Sequence, residues 1–223
     1  MLNSIFYKEW LKTRLAVCLI WAATTGVIAY LLLALRSTIA TSGAVETIAT
    51  MLGRDMIFVN LTQFIPLLAG VCLAVVQWLP EMQNKRIKLT LHLPVSYLKS
   101  IGLMLCYGIV CLLAMTVVNL GLLWAVETIW LPAELIRHTL LTMLTWYLGG
   151  IAGYLLVSWI ILEPVWKMRV AAMCMAGPLL ALFYLTPQPE TYNRFLPILV
   201  FLTGICVLLP YYSIYRFKTG KGL

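Results

Sequence analysis

The stretch IGLMLCYGIVCLLAMTVVNLGLLWAV, residues 101–126, contains no charged side chain. Wound into a helix at about 1.5 Å per residue, it exceeds the roughly 30 Å hydrocarbon core of a bilayer. Similar runs lie on both sides of it, at roughly residues 15–35, 56–78, 139–162, 170–186 and 195–215. The composition agrees, with 62% hydrophobic residues, 11% charged residues and a mean hydropathy of +0.95. A soluble domain carries about 25% charged residues. The expected fold is therefore all-α: a polytopic membrane protein with six transmembrane helices forming one domain over residues 1–223. The run at 170–186 is short and carries Gly177-Pro178, so a bend is expected there.

The basic residues divide unevenly between the two sides of such a bundle. Segments on the side of the N-terminus hold Lys8, Lys12, Arg14, Lys85, Arg86, Lys88, Lys99, Lys167, Arg169, Arg216, Lys218 and Lys221. The opposite side holds Arg36, Arg54, Arg137 and Arg194. Lys and Arg are retained in the cytoplasm, so both termini are expected there. The net charge of +8 is then a topology signal and not a nucleic-acid footprint, with anionic headgroups or an acidic protein surface as its partners.

Catalysis is not expected. The six cysteines all fall inside the apolar runs without CxxC spacing, and His92 and His138 stand far apart with no metal or nucleophile motif around them. An acid in mid-membrane would mark an ion pathway, but Asp55, Glu127 and Glu163 lie at the ends of runs. Thr24, Thr25, Gln63 and Asn119 are suited to hydrogen bonding between helices. The sequence Gly149-Gly150-Ile151-Ala152-Gly153 is a face of small residues, for which close helix contact is expected, within the chain by preference or else between two protomers. The C-terminal KTGKGL lacks the spacing of a nucleotide-binding loop, so no cofactor is expected in this chain.

Two segments stand apart from the apolar runs, one amphipathic at the N-terminus and one, at 81–96, too charged to insert and too apolar to be a free loop. Residues 1–14, MLNSIFYKEWLKTR, place Leu2, Ile5, Phe6, Tyr7, Trp10 and Leu11 on one helical face, with Ser4, Lys8 and Lys12 on the other. That pattern describes an interfacial helix lying in the headgroup layer. The loop at 79–100 contains EMQNKRIKLTLHLPVS, residues 81–96. There Ile87, Leu91 and Val95 recur every fourth position, while Glu81, Lys85 and Lys88 are available to solvent or to a protein surface.

This combination resembles the permease subunits of type-2 (ABC-2) ABC transporters. In that family a short cytoplasmic coupling helix between the second and third spans begins with an acid, passes through leucines and ends Pro-[Val/Ile/Leu]-Ser. Glu81, then Leu89, Leu91 and Leu93, then Pro94-Val95-Ser96 correspond to it, while Lys85-Arg86 stand where the family has Gly-Thr. The resemblance implies a bacterial inner-membrane export permease, not itself an enzyme. It would pair with a second permease subunit, identical or not, and with ABC ATPase subunits that bind ATP and Mg. It also implies re-entrant helices between the last two spans, for which TPQPETYNRFLPIL offers a short equivalent. Glu81, Lys85, Arg86, Lys88, His92 and Pro94, with Lys8, Glu9 and Lys12 in support, are the residues expected to contact the ATPase. A six-span assembly or scaffold protein without transport is the alternative.

Overall fold

The computed structural model describes residues 2–53, 58–83, 97–186 and 191–218, and every regular element among them is a helix. Helix α1 covers Leu2–Ser42 and α2 covers Ala44–Gly53. A 3-10 turn at Phe58–Thr62 precedes α3, Ile65–Gln83. Then come α4, Tyr97–Glu127, and α5, Ala133–Leu162. The last elements are α6, Trp166–Ala181, α7, Leu196–Cys206, and α8, Leu208–Lys218.

The contacts fix the directions. Thr13 of α1 meets Tyr107 of α4 near the start of both helices, so these two run together. Gly150 faces the Pro66 backbone and Tyr154 bonds Gln77, so α3 and α5 run together the other way. Tyr184 reaches back to the Trp146 carbonyl, which sets α6 antiparallel to α5, and Ser213 meets Glu163, which brings α8 back to the end of α5. The result is an up-and-down bundle with both described chain ends at one end. That end also collects Lys8, Lys12, Lys99, Lys167, Arg169 and Arg216, and is called the basic end below.

Helix α5 is the hub. In its most apolar stretch 72% of residues are buried within the chain, against 28% for α1, whose outward face carries Leu15, Leu19, Tyr30 and Leu33. Trp146, Tyr154, Leu155 and Leu156 of α5 pack with Leu73, Trp78, Leu105 and Met115 in one core. Glycine makes that core thin. A Cβ on Gly70 would stand 2.1 Å from the Gly150 carbonyl oxygen, and one on Gly150 would stand 2.5 Å from that of Pro66. The small-residue face thus serves contact within the chain, the preferred of the two expected arrangements.

Five stretches are helical, long and apolar enough to cross a bilayer: Ser4–Ser42, Phe58–Gln83, Leu98–Glu127, Ala133–Leu162 and Leu196–Arg216. The protein is therefore a multi-pass membrane protein in character. The remaining expected run is the 16-residue α6. It rises about 24 Å, short of the roughly 30 Å core. Pro178 lies inside α6 and has no N–H for the Cys174 carbonyl, and the helix ends three residues later. In the last run, Pro210 likewise denies a bond to Cys206, and the helix breaks at Val207. At the opposite end of the bundle α1 stops at Gly43, whose φ of 83° is the left-handed conformation that closes a helix.

Two expectations are corrected. No break separates residues 1–14 from the first span, because α1 is one helix from Leu2 to Ser42 with no proline and its first glycine at position 26. Of its expected apolar face, Tyr7, Trp10 and Leu11 point outward and Ile5 and Phe6 are half-buried, while Glu9 and Thr13, between the two expected faces, are buried. Second, Glu81 does not open a separate solvent-facing helix. It belongs to α3, which continues through Pro80 to Gln83, and its side chain is buried. The rest of the expected coupling segment, residues 84–96, lies outside the described residues, as do residues 187–190 of the expected re-entrant stretch, while 191–195 form a turn.

Candidate functional site

The basic end is organised by four charged side chains. The Lys12 ammonium lies 2.8 Å from Glu9 Oε2 and 3.1 Å from Glu81 Oε1, and donates to Glu9 Oε1 at 3.0 Å. Lys8 Nζ is 3.1 Å from the same Glu81 oxygen. Both carboxylates are buried, the Lys12 side chain is 14% exposed, and that of Lys8 is 48% exposed. Two acids and two ammonium groups balance in charge. Burial leaves the cluster poorly screened, so each carboxylate depends on its cation.

Local structure brings the four together. Lys8 and Lys12 are one turn apart on α1 with Glu9 between them, while the end of α3 supplies Glu81. One turn further along α1, Thr13 donates to the Glu9 carbonyl at 2.9 Å and shares a 2.8 Å hydrogen bond with the Tyr107 hydroxyl of α4. Phe6 meets the Tyr107 ring edge-on at 5.7 Å. A turn before Glu81, Gln77 donates to the Met104 carbonyl at 2.7 Å and accepts from the Tyr154 hydroxyl at 2.8 Å. Polar contacts therefore tie α1, α3, α4 and α5 to one another at the point where α3 ends.

A second tie closes the C-terminal hairpin. Glu163, the C-cap of α5, accepts from the Ser213 hydroxyl and from Arg216 Nη1, the latter at 3.0 Å. Its backbone carbonyl accepts from Arg169 Nη2 at 2.7 Å. In the opposite half of the bundle, Asn119 and Glu127 of α4 are fully buried, and their side-chain oxygens and nitrogen have no hydrogen-bond partner among the described residues.

Of the residues expected to contact a partner, Lys8, Glu9, Lys12 and Glu81 are brought together, though Glu9 and Glu81 face inward and are not a surface for another protein. Lys85, Arg86, Lys88, His92 and Pro94 lie outside the described residues. Among the described residues, no group of three His, Cys, Asp or Glu side chains could hold a metal ion. Comparison with family models, curated proteins and solved structures returns no match. The arrangement pairs its charges within the bundle, Lys12 with Glu9 and Glu81 and Lys8 with Glu81. What it offers is stiffness, four helices cross-linked by charged and hydrogen-bonded contacts just before the most charged loop of the chain.

Sequence reasoning missed the roles of Gln77, Tyr107 and Glu163. Glu163 carried a signal, an acid followed by proline at the end of an apolar run, with Arg216 closing the last one. Gln77 and Tyr107 carried none, since their importance depends on which helices touch.

Proposed function

We propose that the chain is the membrane-spanning permease subunit of an ABC-type exporter, coupling ATP hydrolysis on a separate ATPase chain to outward movement of a substrate. The observation that carries this reading is the Lys8–Glu9–Lys12–Glu81 cluster. A coupling segment can transmit force only if its root is fixed, and here the root of the segment at 84–96 is pinned to the N-terminal helix by buried charges.

In this reading, Lys85, Arg86, Lys88 and His92 contact the ATPase, with the half-exposed Lys8 beside them. Glu9, Lys12 and Glu81 hold the anchor. Residues 166–186 make a sixth crossing, the basic end faces the cytoplasm of a bacterial cell, and a second permease subunit completes the pathway. The concentration of Lys and Arg at the end that carries both described chain ends supports that orientation.

The test is to purify the tagged protein from its native membrane in mild detergent, identify what accompanies it and assay ATPase activity. An ABC ATPase in stoichiometric amount, lost when residues 84–96 are replaced by a neutral Gly/Ser loop, is the expected result. Recovery of intact protein without an ATPase overturns the reading and leaves a multi-span assembly protein.

A further inference from the structure

At the basic end, α3, α5 and α6 enclose a groove of about 490 Å³, within the size range of small-molecule sites. Its lining is graded. Gln83, Trp166 and Arg169 stand at the rim, while Leu79, Ile161 and Met173 lie deeper toward the middle of the bundle. Helices α3 and α6 reach that end at Gln83 and Trp166, so Leu79 and Met173 each sit about one turn deeper than the polar residue of the same helix.

The rim is positive and, among the described residues, uncompensated. Arg169 donates to a neutral acceptor, the Glu163 backbone carbonyl, and its guanidinium lies 5.9 Å from the Trp166 ring centroid. The nearby Glu163 carboxylate is occupied by Ser213 and Arg216. Arg169 Nε is shielded from water and has no hydrogen-bond partner among the described residues, so burial of this group is left uncompensated beside the groove. Lys167 is exposed beside it, and Trp166 is 69% exposed, as aromatic residues at a headgroup layer are.

We propose that this groove binds one anionic membrane phospholipid, with its phosphate at the Arg169 guanidinium and an acyl chain along Leu79, Ile161 and Met173. Charge complementarity selects an anionic headgroup over a zwitterionic one, because the described rim residues carry positive charge and no acid. The apolar floor selects a lipid over a free phosphate. This inference rests on the membrane character of the chain and not on its pairing with an ATPase.

The full chain in mild detergent is exchanged against mixed micelles containing phosphatidylglycerol and phosphatidylcholine, washed at high salt to screen surface attraction, and the retained lipid is counted by native mass spectrometry. The expected result is one phosphatidylglycerol retained per chain. Arg169→Gln is expected to reduce retention by about tenfold or more. Met173→Trp, which fills the floor without touching the charge, is expected to reduce it as well, while Lys99→Gln, an exposed cation elsewhere at the same end, leaves it unchanged. Retention unaffected by Arg169→Gln, equal loss in Lys99→Gln, or phosphatidylcholine retained as well as phosphatidylglycerol overturns the site. Loss with Arg169→Gln but not with Met173→Trp also overturns the groove, since a surface headgroup contact then suffices.

Discussion

The Lys12 ammonium lies within about 3.1 Å of two carboxylates, Glu9 of its own helix and Glu81 of α3. Replacing Lys12 by Met leaves Glu9 without its cation and Glu81 with the half-exposed Lys8 alone. Removing one member of a buried ion pair costs about 3–5 kcal/mol, whereas an exposed pair contributes about 0–1 kcal/mol. Lys12→Met is therefore expected to lower the thermal unfolding midpoint in detergent strongly, and Lys8→Met only slightly. The triple change Glu9→Gln, Lys12→Met, Glu81→Gln is expected to recover most of the loss, because no charge is left buried. Equal, small shifts for the two single variants would show that the cluster is not the anchor. The sequence announces Glu81 as the acid opening a basic segment, but not that it turns inward. That direction depends on the register of α3 against α1, which no local pattern encodes.

At the scale of elements, the apolar runs were legible and their ends were not. The expected run stops at about residue 78, yet α3 passes through Pro80 to Gln83, even though a proline in a helix interior costs about 3 kcal/mol or more. The buried Trp78 on one side and the ion-paired Glu81 on the other offset that cost, and both are tertiary contacts. The small-residue face at 149–153 was legible for the opposite reason, since small residues announce close approach whatever the partner is. The approach between α3 and α5 is backbone against backbone, so a methyl group cannot be absorbed by rotating a side chain. Gly70→Ala is expected to push the two helices apart and destabilise by about 1–3 kcal/mol, read as a lower unfolding midpoint. A Cβ on Gly26 would meet no described atom within 4 Å, so Gly26→Ala is expected to be neutral or to stabilise by up to about 1 kcal/mol. Similar effects of the two substitutions would contradict the packing at α3 and α5.

For the whole molecule, the number of crossings turns on one hairpin. Helix α6 runs away from the basic end along α5 and α7 and α8 return to it, so both described chain ends lie at the basic end whether this hairpin crosses the bilayer or turns back within it. Terminal reporters cannot separate the two arrangements, but its tip can. Helix α6 alone is too short to cross, and Tyr184 sits level with Trp146 and Gly149, partway along α5. Against this, the 21 residues of Leu196–Arg216 match the hydrocarbon core, rising about 31 Å, and they are bracketed by Arg194 and Arg216. Stopping short would hold the exposed Arg194 inside hydrocarbon at a cost of about 2.5–3.5 kcal/mol at the centre. Under the proposed six-crossing arrangement with the basic end in the cytoplasm, that penalty is avoided by a tip that reaches the far aqueous side. Asn193→Cys is therefore expected to react with a membrane-impermeant maleimide in right-side-out vesicles, while the native cysteines, which lie within the apolar runs, give a low background. Reaction in inverted vesicles alone would place the tip on the cytoplasmic side, and protection in both would make the hairpin re-entrant, reducing the crossings to four.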